Sequence, residues 1–211
     1  MRSFCLWISC LVFAASTAAA DEPGDFTHYV MALSWNAAWC EAEGDARNAD
    51  QCAARHDHGW LLHGLWPQQE NGWPEYCRST VRDPSRRMSA TMEDIMGSGG
   101  LAWYQWKKHG RCTGLEAQDY FDLSRAAYES IKRPNILRRI SQAMALPPKV
   151  IEDAFLEANP ELKASQIAVK CRDGAIREVR ICLTKGLVTR HCTPQVAREC
   201  SASSASFVPM R

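Results

Sequence analysis

The amino-acid sequence predicts one α+β domain stapled by disulfides. Strand-like alternation opens and closes the chain, while helical periodicity fills its middle. Eight cysteines lie beyond the first twenty residues. The roughly 190 residues after that segment are enough for one sizeable core, with no repeat, low-complexity linker or charge run to divide them.

The chain begins MRSFCLWISCLVFAASTAAA. Arg2 supplies a positive start, residues 6–15 form a short apolar run, and Ala18-Ala19-Ala20 has the small-residue pattern of a cleavage site. The segment is too short and too lightly flanked for a membrane anchor. Residues 1–20 are therefore expected to be a secretory signal, with residues 21–211 forming a single exported domain, periplasmic or secreted.

"HYVMALSW", residues 28–35, alternates Tyr29, Met31, Leu33 and Trp35 with smaller residues and reads as a half-buried strand. Asp-rich sequence between Cys40 and Cys52 suggests a stapled loop. "WLLHGLW", residues 60–66, is a second strand, stopped by Pro67. Met88, Met92, Ile95 and Met96 predict a helix over residues 85–96, ended by Gly97-Ser98-Gly99-Gly100. A short helix over 101–109 follows, with Trp103 and Trp106 on its core side and Gly110 at a left-handed C-cap. Tyr120, Leu123, Ala127 and Ile131 mark an amphipathic helix over 119–132, with Asp119 near its start. Two more helices are expected at 135–145 and 148–158. Strands return at 166–172, 175–183 and 207–210, the last after a Ser/Ala loop.

Without its first twenty residues the chain loses Arg2 and no acid, leaving 24 Lys and Arg against 24 Asp and Glu. That balance argues against binding nucleic acid through a broad basic field, but not against a local grip on one or two nucleotides. The eight remaining cysteines suggest four disulfides, for which spacing alone leaves 105 pairings. The last four invite a nested arrangement, Cys182–Cys192 inside Cys171–Cys200, tying neighbouring strands or their ends. A zinc site would need close Cys or His pairs, and no C-x₂-C repeat is present.

Two of the six histidines stand out. His63 is a polar ring in an apolar strand, and His109 ends the short helix beside Lys108, where the helix C-terminus would favour a cationic imidazole. Gln105, Lys108 and His109 share one helical face. Singly, each histidine reads as structural. Together they suit a reaction in which one imidazole takes a proton from a nucleophile and the other gives one to a leaving group. His28 and His191 have no evident partner, and His56-Asp57-His58 reads as a solvated loop, so a histidine-based metal hydrolase is the weaker alternative.

"LLHGLWPQ" and "WKKHGRC" resemble, in order and distance, the two active-site segments of the ribonuclease T2 family. "HYVMALSW" resembles its first central strand, "WPEYC" the segment after the first motif, and "KCRDGAIREVRIC" with the later "HC" its C-terminal strand pair. The lack of an N-x-[ST] sequon is closer to bacterial, ribonuclease I-like members. The resemblance implies a central antiparallel sheet with several packed helices, acting as a monomer. It implies cleavage of single-stranded RNA, without metal or other cofactor, through attack of the ribose 2′-OH to leave a 2′,3′-cyclic phosphate. His109 matches the family's general base, His63 its general acid, and Lys108 the cation that stabilises the transition state. Trp66 resembles the wall of a base pocket, with ordinary core packing as the other reading. The same resemblance pairs Cys77 with Cys112 and Cys40 with Cys52.

Two positions depart from the pattern. Tyr104-Gln105-Trp106 stands where the family usually reads His-Glu-Trp. Tyr104 replaces a phosphate-holding histidine with a neutral phenol. Gln105 keeps the shape of the glutamate but cannot ionise. The expectation is an active but slowed or pH-shifted ribonuclease. The alternative from another class is a T2-like scaffold acting as an RNA- or protein-binding effector or inhibitor.

Overall fold

The computed structural model describes residues 22–198 and 200–211; the signal segment expected at residues 1–20 lies outside them. A six-stranded sheet organises the fold. Strands β1 (His28–Trp35), β2 (Trp60–Gln68), β3 (Met144–Leu146), β4 (Ile167–Arg172), β5 (Ala175–Thr184) and β6 (Ala205–Phe207) run in the order β2-β1-β5-β6-β3, with β4 also paired to β5. The pairings are antiparallel except β5 with β6, which meet in parallel at Ala175 and Ser206. The sheet is thus mixed rather than purely antiparallel, as the final short strand docks at the start of β5.

One face of the sheet carries the core. Met31, Leu33 and Trp35 of β1, Leu62 and Leu65 of β2, and Val179 and Ile181 of β5 are buried there. The helices α1 (Asn36–Trp39), α2 (Arg86–Ala90), α3 (Glu93–Met96), α4 (Gly99–Lys108), α5 (Ala117–Ser130), α6 (Pro148–Ala158) and α7 (Pro194–Ala197) complete the fold. On α5, Ala117, Tyr120, Phe121, Ser124 and Ala127 are buried, the spacing of one amphipathic stripe. Tyr120 Oη donates to the Leu65 carbonyl at 2.9 Å, tying α5 to β2.

Several local expectations change. The helix expected over 85–96 breaks into α2 and α3, because Thr91 Oγ1 donates to the Met88 carbonyl and Met92 N–H closes a tight turn to Ser89. β2 runs through Pro67 to Gln68; as an edge strand it loses little by lacking that N–H. Residues 135–145 hold a 3₁₀ turn, Asn135–Arg139, and then β3, which pairs with β6. The last strand covers Ala205–Phe207, not 207–210, and so takes in the end of the Ser/Ala stretch. Trp106 is fully buried, but Trp103 lies at the surface beneath Lys107, whose Nζ is 4.8 Å from the ring centroid.

Gly110 is not a left-handed cap; Gly114 takes the positive φ instead. A Cβ at Gly110 would come within 2.5 Å of Trp106 Cε3 and 2.9 Å of Tyr120 Cδ1, so close packing demands the glycine. Four disulfides brace the loops: Cys40–Cys52, Cys77–Cys112, Cys171–Cys200 and Cys182–Cys192.

Candidate active site

A β-bulge places His63. β1 pairs Ala32 with Gly64 and Leu33 with Leu62, so His63 is the extra, unpaired residue of β2. Leu62 and Leu65 can then both face the core while His63 and Gly64 face the opposite side. On that side β5 presents Glu178 and Arg180, paired to Ser34 and Ala32 of the intervening strand. The small Ser34 and Ala32 side chains leave room above β1 for Glu178 to reach His63. His63 Nδ1–H donates to Glu178 Oε2 at 2.7 Å, and Arg180 Nε donates to Glu178 Oε1 at 2.7 Å. Burial alone would raise the Glu178 carboxyl, but the His63 hydrogen bond and charge, with the Arg180 guanidinium, hold it below the usual carboxylate range.

Helix α4 brings the second group. Ser98 caps it, its hydroxyl accepting from Gly100 and Leu101 N–H, and the last turn delivers Gln105, Lys108 and His109. His109 is 5% exposed, and its Nδ1 has no hydrogen-bond partner among the described groups. Burial first, then the Lys108 charge and then His63, push its pKa down to about 3. The cationic imidazole expected from the helix end is therefore corrected to a neutral one: desolvation outweighs the helix terminus.

Trp66 joins the two halves. Its ring centroid lies 5.2 Å from that of His63 and 5.4 Å from that of His109. The Arg180 guanidinium sits 5.1 Å over the same indole. Trp66 Nε1 donates to Gln105 Oε1 at 2.8 Å. Gly64 lies under this bond, and a Cβ there would collide with both of its atoms. The Gln105 side chain thus bonds to Trp66, while its bond with His109 is a backbone one, His109 N–H to the Gln105 carbonyl at 2.8 Å. Trp66 is partly buried.

Lys108 Nζ lies 3.3 Å from Glu75 Oε2 and 5.9 Å from the Tyr76 ring centroid. Tyr76 holds a left-handed φ of 52°, its N–H donates to the Lys108 carbonyl, and its hydroxyl lies 3.2 Å from that of Tyr104. Cys77–Cys112 staples this loop to the end of the helix region. Tyr104 is exposed beside it.

The sequence-derived candidates His63, Trp66, Gln105, Lys108 and His109 thus gather in one place, with Tyr104 at the rim. Glu178, Arg180, Glu75 and Tyr76 were missed. The signal for the first two was an acid and a base two apart in "AIREVRIC", which puts both on one face of the strand and the intervening Val179 with Arg177 on the other. His28 is buried, its Nδ1 2.8 Å from Thr27 Oγ1, and His56 Nε2 lies 2.8 Å from Asp50. Among the described residues, no group of three or more His, Cys, Asp or Glu side chains is arranged to hold a metal.

Two imidazoles and an arginine gather around one indole, with the Lys108 charge beside His109, an arrangement suited to proton transfer next to an anion. A model of the ribonuclease T2 family matches residues 26–192, and the chain belongs to that family. It is an endoribonuclease, with RNA as its substrate. It is similar to a ribonuclease of Aeromonas hydrophila, 31% identical over 175 residues that span 82% of this chain and 79% of that protein. Ribonuclease I of Escherichia coli strain K12 is 28% identical over 158 residues, 55% of this chain and 59% of that one. The fold is also that of an RNase-related protein from Calystegia sepium, at a TM-score of 0.68 and 20% identity over 87% of this chain and 97% of that one.

Proposed function

We propose that the protein cleaves single-stranded RNA by 2′-OH transesterification, with no metal required. Neutral His109 takes the proton of the 2′-hydroxyl, whose oxygen attacks the adjacent phosphorus. His63 gives a proton to the departing 5′-oxygen, leaving a 2′,3′-cyclic phosphate. Lys108 stabilises the negative charge that grows on the phosphoryl oxygens. Trp66 and Tyr104 line the path of the substrate, and Gln105 holds Trp66 in place. The observation that carries this reading is the contrast between the two imidazoles: one buried and neutral, the other hydrogen-bonded to a carboxylate, both against Trp66.

We also read the protein as an exported monomer with residues 1–20 as its signal, supported by four disulfides. Among the described residues no helix is long and apolar enough to cross a membrane. The second reading, a binding effector or inhibitor with a blunted site, draws on the neutral Gln105 and Tyr104.

The test is cleavage of a short single-stranded RNA by the oxidised protein in excess EDTA, with the product ends identified. Cyclic phosphate ends, lost in His63→Ala and His109→Ala, are expected. Absence of cleavage between pH 4 and 8, with activity restored by Gln105→Glu, would shift the reading to binding.

A further inference from the structure

The proposed mechanism names neither the nitrogen of His63 that delivers the proton nor a task for the carboxylate it meets. Glu178 is 8% exposed and sits in the middle of β5, where a core strand ordinarily carries an apolar residue. Burying a carboxylate is costly unless it is paired. Here its two oxygens are divided: Oε2 accepts from His63 and Oε1 from Arg180, each at 2.7 Å. Arg180 is anchored in turn over the Trp66 ring. The route from β5 to β2 stays open only because Ser34 and Ala32 are small and the bulge turns His63 to this face.

We propose that Glu178, held by Arg180, is the positioning residue of the ribonuclease reaction: it fixes His63 with its Nδ1 proton directed away from the substrate and its Nε2 as the nitrogen that delivers the proton. An ionised carboxylate on Nδ1 selects that tautomer and orients the ring. In the step itself, the Nε2–H bond of the imidazolium breaks as the O5′–H bond forms and the P–O5′ bond parts. The imidazole is left neutral with its Nδ1 proton still shared with Glu178, which remains ionised throughout. Among the described residues His109 has no such partner at its Nδ1, so the pairing marks one histidine and not the other.

This inference rests on the ribonuclease reading, and its test separates the two. Two substrates are compared: a dinucleoside phosphate, whose alkoxide leaving group needs a proton, and a nucleoside 3′-(4-nitrophenyl phosphate), whose phenolate leaves without one. Glu178→Gln keeps the size of the side chain and removes the charge. It is expected to lower kcat on the dinucleoside phosphate by about 10–100-fold, part of the roughly 10²–10⁴-fold reach of general acid–base catalysis. KM should stay within about twofold, and the aryl ester should lose less than about threefold. Equal losses on both substrates, or no loss on either, would overturn the inference while leaving the ribonuclease intact. An unaltered protein that cleaves neither substrate would remove both readings. Should Glu178→Gln fail to fold, ¹⁵N chemical shifts of His63 in the unaltered protein decide the matter: a neutral ring protonated at Nδ1 is expected, and one protonated at Nε2 overturns the proposal.

Discussion

On the strand side of the site, the His63 side chain is 38% exposed and its Nδ1 donates to a carboxylate. On the helix side, His109 is 5% exposed, lacks a partner at Nδ1 among the described groups, and lies next to the Lys108 ammonium. In the proposed reaction the same ring is prepared for two tasks by its surroundings. Dry, cation-flanked packing keeps His109 unprotonated and able to accept. The Glu178–Arg180 pair holds His63 in one orientation, with its Nδ1 turned to the carboxylate. A phosphodiester entering beside His109 would offset part of the Lys108 charge, so its basicity recovers when substrate is bound.

If the two rings act as one relay, removing either should stop it. His63→Ala and His109→Ala are each expected to lower kcat by about 10³-fold, within the usual range for an acid or base. The double variant should lose little more than the worse single one, as for residues that work as a unit. Losses that multiply in the double variant, measured on the same dinucleoside phosphate, would separate the two histidines into independent roles.

A smaller effect tests what the amide at 105 does to the base. Gln105→Glu should still accept from Trp66 Nε1, while adding a negative charge near His109. The acid limb of the kcat/KM profile should then move up by about one pH unit, with kcat near neutrality rising about 3–10-fold. An unmoved limb would show that position 105 serves Trp66 alone.

The smallest effect is on stability. The His109 imidazole binds its proton near pH 6.5 when free of the fold and near 3 within it. Between those values the unfolded chain carries the extra proton, so stability is full above pH 6.5 and falls as the pH drops. The slope is about 1.4 kcal/mol per pH unit, or about 2–3 kcal/mol between pH 6.5 and 4.5, where glutamates begin to titrate as well. Buried His28 and partly buried His58 are lowered too, so the quantity to read is a difference. Urea unfolding at the two pH values should show a markedly smaller loss in His109→Asn; an equal loss would mean that His109 is protonated in the fold.

Much of this was legible along the chain. β1 coincides with the alternating residues 28–35 and α6 with residues 148–158, since each owes its form to a periodicity contained within it. The helix expected at 135–145 failed because β3 exists only by pairing with β6, some sixty positions downstream. The exposure of Trp103 beside buried Trp106 likewise depends on where α4 meets its neighbours.

By itself the sequence determined the α+β class, the two histidine-bearing segments and the even set of cysteines, because alternation, helical spacing and residue chemistry are local properties. Only the tertiary structure decided that His109 is neutral, since burial is set by everything packed around it. It also decided that His63 meets Glu178, 115 positions away, because a one-residue bulge in β2 chooses the face on which the ring emerges.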